Sequence, residues 1–137
     1  MKKNAILLAS FLILLIIMMQ YNKVRLKSEY EQMAYESAHR AVKIIEDYKE
    51  YEKTEELFEL IGELSIFSVS IDKLEKYDSD IEYCNDIEKT KSILISKQKQ
   101  IVGIEYLYEG LLAIEGDIYS DIGYSYLNSF VNENMVK

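Results

Sequence analysis

The stretch Ala5–Tyr21, AILLASFLILLIIMMQY, decides how the rest of the chain must be read. From Ala5 to Met19 it is apolar except for Ser10, and Tyr21 stands where an interfacial aromatic is expected. As a helix it is about 25 Å long, near the short limit for crossing a bilayer. Met1-Lys2-Lys3-Asn4 gives it the basic start of an export signal. Signal cleavage needs small residues after the apolar run, and Met18-Met19-Gln20-Tyr21-Asn22-Lys23 supplies none. Residues 1–21 are therefore read as an uncleaved signal anchor or transmembrane helix, and residues 22–137 as an acidic helical domain. Lys2, Lys3 and the α-amino group precede the run and Lys23, Arg25 and Lys27 follow it, so a strict count of basic residues favours a cytoplasmic domain, against which stand the export-like N-terminus and the length of the domain. Long domains translocate largely regardless of flanking charge, so the reading places this one outside the cytoplasm.

Beyond the anchor the composition is helical. The 137 residues include no proline and only five glycines, Gly62, Gly103, Gly110, Gly116 and Gly123, so few helix breakers are available. Eighteen isoleucines against six alanines suggest an AT-rich bacterial genome.

Charge divides the chain in two. Residues 1–27 carry Lys2, Lys3, Lys23, Arg25 and Lys27 without an acid, net +5. The remainder holds eleven bases and all 24 acids, net −13. A domain this acidic repels phosphate backbones, which argues against nucleic acid as a partner.

The periodicity then lays out the helices. Because no stop signal follows the anchor, the first helix is expected to run on to about Tyr51. Its seam is Ala34, Ala38, Ala41, Ile45 and Tyr48, spaced as in a coiled-coil face and widened by Tyr30, Met33 and Val42. Thr54 followed by Glu55 and Glu56 reads as an N-cap with acids in the first turn. A second helix shows Leu57, Leu60, Leu64, Phe67, Ile71 and Leu74, and closes with Lys73 and Lys76. Phe67–Ile71 also alternates like a strand, but helical flanks on both sides make it helix.

Ser79 and Glu82 have the spacing of a capping box. A third helix is expected from there toward Ile114, with Ile81, Cys84, Ile87, Leu94, Ile101, Tyr108 and Leu112 as apolar positions. After a break at Glu115-Gly116-Asp117, a last helix carries Ile118, Ile122, Tyr126 and Phe130. Short connections between amphipathic helices make neighbours antiparallel. The expected fold is all-α: a transmembrane helix continuing into an antiparallel three- or four-helix bundle.

The residues that carry chemistry are few. Glu36-Ser-Ala-His39 is an E-x-x-H pair, but di-iron bundles need two such pairs and this chain has one histidine. His39 is thus read as a surface or packing residue. Cys84, the only cysteine, permits no internal disulfide or thiolate zinc site and reads as a small hydrophobe. The acids Glu105, Glu109, Glu115, Asp117 and Asp121 lack the spacing of a calcium loop and read as a solvated face. Lys89, Lys91, Lys97 and Lys99 are read as either opposing the acidic stretch Glu46–Glu59 across the bundle or solvated. Neither a nucleophile–base pair nor a glycine-rich phosphate loop occurs. No enzyme, cofactor or metal is expected.

Twelve tyrosines stand beside four phenylalanines and no tryptophan. Tyr106, Tyr108, Tyr119, Tyr124 and Tyr126 crowd the region of Gly103, Gly110, Gly116 and Gly123. Tyrosine suits interfaces because it buries a ring and keeps a wet hydroxyl. These five are the candidate interaction residues, within a contact region from Ile101 to Val131. The functional expectation is a membrane-anchored interaction module, a scaffold or accessory subunit of an envelope assembly, bound to a protein partner or to its own copies. The alternative is a small-ligand sensor bundle acting through a separate signalling partner.

Overall fold

The computed structural model describes residues 2–78, 82–98 and 100–135, with side chains from Ile6 onward. Among these residues the chain is all-helical, with five helices. They are α1 (Lys2–Tyr51), α2 (Thr54–Glu75), α3 (Cys84–Ser96), α4 (Ile104–Gly116) and α5 (Asp121–Met135).

Helix α1 runs 50 residues without a break. From Ile6 to Tyr21 its side chains are exposed, and α1 is the one described helix long and apolar enough to cross a membrane, with a mean hydropathy of 1.8 over its most apolar 18 residues. Its second part enters the bundle. Ala34, Ala38, Ala41 and Ile45 are fully buried as the spacing predicted, Val42 joins them, and Tyr30 and Tyr48 pack at the margin. Met33 does not widen the stripe: it lies on the outer face, 43% exposed. The helix stops because Glu52 turns left-handed, at φ 50°, and its N–H donates to the Tyr48 carbonyl at 2.8 Å. That is an αL closure with glutamate where glycine is usual.

Helix α2 buries all six positions of its expected seam, Leu57, Leu60, Leu64, Phe67, Ile71 and Leu74, and Phe67–Ile71 is helical. Each such side chain contributes roughly 1.5–3 kcal/mol when fully buried. Glu55 and Glu56 occupy the first turn as read, but Thr54 is already helical, and the capping position is Lys53, without a side-chain hydrogen bond.

The expected long third helix is two helices. The capping role read for Ser79 and the apolar position Ile81 lie outside the described residues. Glu82 and Tyr83 precede the helix, and α3 begins at Cys84. It ends at Ser96, and the chain reverses through Gly103, whose φ of 67° favours glycine. Asn134 of α5 clamps the reversal: its Oδ1 accepts the Val102 N–H at 3.1 Å and its Nδ2 donates to the Val102 carbonyl at 2.9 Å.

The break at Glu115-Gly116-Asp117 is present. Ser120 then caps α5, its Oγ accepting the Gly123 N–H at 3.2 Å. Two apolar faces differ from the periodicity reading. In α4 the buried positions are Leu107, Gly110, Leu111 and Ile114; Tyr108 packs half-buried against the core as expected, while Leu112 is 41% exposed. In α5 they are Gly123, Tyr124, Leu127, Phe130, Val131 and Asn134; Phe130 is buried as expected, Ile118 packs partly buried against the core from the preceding loop, and Ile122 and Tyr126 are 68% and 37% exposed.

The helices close a ring in the order α1, α2, α3, α5, α4, each packed against its two neighbours around a shared core. Side-chain pairs give the directions. Arg40–Glu63 and Tyr30–Tyr77 make α1 and α2 antiparallel. The level of Tyr30, Tyr77, Tyr83 and Tyr119 lies about 14 Å beyond Tyr21 along α1, so this end of the bundle is the one next to the apolar helix.

Candidate functional site

The seam between α1 and α4 is polar and ordered. From the loop after α4 back along that helix, against ascending α1, Tyr119 donates to Glu31 at 2.8 Å, and His39 Nδ1 meets Glu115 Oε1 at 2.5 Å. Tyr108 donates to Glu46 at 3.0 Å, and Lys49 Nζ donates to Glu105 at 2.6 Å. Lys49 also lies 4.2 Å from the centre of the Tyr108 ring. The register is antiparallel, and the links recur every one or two turns.

This seam uses residues the sequence reading had assigned elsewhere. Of the acids expected as a solvated face, Glu105, Glu109, Asp117 and Asp121 are exposed and Glu115 is partly buried, but several also hold partners: Glu105 holds Lys49, Glu115 holds His39, and Asp121 accepts from Tyr83. Asp117 accepts the Tyr119 N–H within its own turn. Glu36, the partner of His39 in the E-x-x-H spacing, instead faces Gln32 and Arg40 along α1. Lys91 pairs with Glu88 on its own helix rather than across the bundle, and α3 packs on α2 and α5. Lys99 lies outside the described residues. Cys84 is partly buried, its thiol 3.5 Å from Ser68 Oγ.

The five candidate tyrosines separate into three environments. Tyr124 is core, 2% exposed; its ring stacks on Tyr83 at 3.8 Å and its hydroxyl donates to the Ile118 carbonyl. Burial first, then the neighbouring acids and phenols, raises its ionisation well above the usual phenol range. Tyr119 and Tyr108 are half-buried and held by Glu31 and Glu46. The Tyr119 phenol is raised by burial and by that carboxylate, whereas Tyr108 is raised chiefly by its bond to Glu46. Tyr106 and Tyr126 form a pair near the surface, ring centres 6.4 Å apart, 38% and 37% exposed. Beside Tyr126 an open groove of about 420 Å³ runs along α5 past Asp121, Ile122, Ser125 and Ser129.

Tyr83, which the sequence reading did not single out, is central to this end of the bundle. It donates to Asp121 at 2.5 Å and stacks on Tyr124, and the Asp121 hydrogen bond leads the causes that push its phenol up to about 12. The glycines have a comparable internal use. Gly110 and Gly123 face each other where α4 crosses α5, whereas a Cβ on Gly62 or Gly116 would meet nothing within 4 Å.

Compared with known protein families, curated proteins and solved structures, the chain matches none.

Proposed function

We propose that this chain is a membrane-anchored helical interaction module, a scaffold or accessory subunit of an envelope protein assembly. One observation carries the reading: α1 is a single unbroken helix, apolar and exposed over its first part and built into the bundle core over its second. Leaving that run in water would forgo roughly 1.5–3 kcal/mol for each large apolar side chain, so a lipid environment is strongly favoured. A rigid helical connection also fixes how the bundle stands on the membrane.

In this reading residues 1–21 stay on the mature protein, because the sequence after Met19 offers no cleavage site. The acidic bundle stands outside the cytoplasm and presents a protein-binding surface, with Tyr106 and Tyr126 as the outward-facing part of the tyrosine set. The test is fractionation with an alkaline wash, with mass measurement of the mature N-terminus and a C-terminal reporter. Retention in the membrane with residues 1–21 intact is expected, and the reporter should be active outside the cytoplasm. Release into the soluble fraction or a mature N-terminus beyond residue 20 overturns the anchor. A reporter active only in the cytoplasm overturns the orientation.

A further inference from the structure

The outer face of α2 carries an apolar strip that the bundle does not use. Phe58 is 58% exposed, Ile66 41% and Val69 56%, and they follow one another at helical spacing with Gly62 between them. Ile61 borders the strip, partly buried against the core. Ile95 of α3 extends it. Ser68 donates to Glu88, and the Cys84 N–H donates to Glu75 at 2.7 Å, so α2 and α3 are antiparallel. Seven residues back from Ser68 and seven on from Glu88 bring Ile61 level with Ile95, itself 57% exposed. From Phe58 to Val69 the strip is about 16 Å long, the length of three helical turns. At its middle Gly62 has no neighbour within 4 Å of a Cβ position, which leaves room for a close backbone approach.

Charge and position together restrict what covers it. Glu55 and Glu59 are exposed at the end of the strip farther from the apolar helix, and neither has an ion pair among the described residues. At the other end Asp72 and Lys76 neutralise each other at 2.9 Å, and Lys73, one turn beyond Val69 and without a salt bridge among the described residues, leaves that end positive. An occupant must therefore be apolar along its centre and basic toward one end. A second copy fits poorly. Two chains anchored in one membrane by α1 would set their α2 helices side by side and parallel, placing Glu55 and Glu59 against their own copies. Lipid fits no better. Arg40–Glu63 and Tyr30–Tyr77 set the level of α2 on α1, and by that register the strip stands roughly 20–35 Å beyond Tyr21.

The geometry points to this face, Phe58, Gly62, Ile66 and Val69 of α2 with Ile95 of α3, as a docking surface for a basic amphipathic helix of a partner protein. The partner's apolar residues lie along the strip, and its lysines or arginines lie against Glu55 and Glu59. This inference rests on the interaction-module reading and adds to it a surface separate from the Tyr106–Tyr126 pair.

The test uses the full chain in lipid nanodiscs, with empty nanodiscs subtracted. The probes are two helical peptides of about fourteen residues, long enough to cover the strip. Both carry leucines at helical spacing; one is flanked by lysines and its twin by glutamates. The lysine peptide is expected to bind at least tenfold tighter than its twin. Val69→Asp, and independently Phe58→Gln, should weaken it at least tenfold while helical content and melting temperature stay unchanged. Glu55→Lys with Glu59→Lys should reverse the preference between the peptides. Equal binding of both peptides, or binding indifferent to Val69→Asp and Phe58→Gln, overturns this docking surface. A doubled mass without peptide that Val69→Asp restores to one copy assigns the face to self-association and overturns it equally. If Tyr126→Ala weakens peptide binding and Val69→Asp does not, the α2 docking surface falls while the module reading stands.

Discussion

Gly110 and Gly123 touch across the α4–α5 crossing: a Cβ on either would lie 3.0 Å from the other's carbonyl oxygen. That contact sets the rotation of both helices. With Gly110 turned inward, Leu107, Leu111 and Ile114 share its face, and with Gly123 turned inward, so do Leu127, Phe130 and Asn134.

Substituting these glycines is expected to be costly. At Gly123 a Cβ would also meet Ile114 Cγ1 at 2.6 Å, and at Gly110 it would meet Leu127 Cδ2 at 3.0 Å. Gly110→Ala and Gly123→Ala should each lower stability by about 1–3 kcal/mol, the usual range for overpacking. Gly62→Ala is the control with the opposite sign. Gly62 is exposed in the interior of α2 with open space around it, so alanine should add about 0.5–1 kcal/mol through helix propensity. Denaturant unfolding of the three variants checks both signs. A stable Gly123→Ala variant would show that the crossing is looser than this contact.

Asn134 is 1% exposed and makes three side-chain hydrogen bonds, two to Val102 and one to the Phe130 carbonyl. Asn134→Ala leaves the backbone of the α3–α4 reversal without those partners and should cost about 1–3 kcal/mol. Hydrogen exchange should localise the effect, with faster exchange at Val102 and in the first turn of α4. Uniform loss of protection across the bundle would instead show that the clamp is not local.

The helices that the sequence showed best are those whose two sides differ most. In α1 the small residues Ala34, Ala38 and Ala41 mark one narrow seam, and in α2 six large apolar residues fall at heptad spacing, so burial followed the pattern. In α4 nearly every side is apolar or aromatic, and periodicity alone cannot choose among Leu107, Tyr108, Leu111 and Leu112. The choice is made by Gly110, a residue with no hydropathy signal to offer. Gly103 is likewise visible as a letter but not as a turn, because the reversal that runs through it is clamped at Val102 by Asn134, 32 residues further on. The tyrosine cluster was legible as composition; its division among core, seam and surface arises from the α1–α4 register.

Alkaline pH should expose the Tyr83–Asp121 contact. The Tyr83 phenol is held up to about 12 in the fold, chiefly by its hydrogen bond to Asp121, against an ordinary value of 10.0. Since the folded value is the higher one, its contribution to stability is complete below pH 10 and is lost as pH rises through 12. The melting temperature should fall across that window. Tyr83→Phe should shed this part of the fall, because no proton remains to be released at that position. A phenolate absorbance titration of the wild type against Tyr83→Phe would place the ionisation directly. An ordinary value for Tyr83 would mean that the carboxylate contact does not hold in solution.

The five candidate tyrosines should respond to truncation as three groups. Tyr124→Ala empties a core site against Tyr83 and should cost about 3–5 kcal/mol, the range for removing a buried aromatic ring. Tyr119→Ala and Tyr108→Ala each remove one hydrogen bond to a carboxylate of α1 and part of a ring's packing, so about 1–2 kcal/mol is expected. Tyr106→Ala and Tyr126→Ala act on a surface pair and should change stability by about 0.5 kcal/mol or less. The same five variants, scored for association with a partner, separate packing from contact. Weakened association in Tyr106→Ala or Tyr126→Ala, at unchanged melting temperature, marks that pair as a contact surface. If only Tyr124→Ala and Tyr119→Ala lose association, in step with their loss of stability, the tyrosine cluster serves the fold and the contact must be sought on α2.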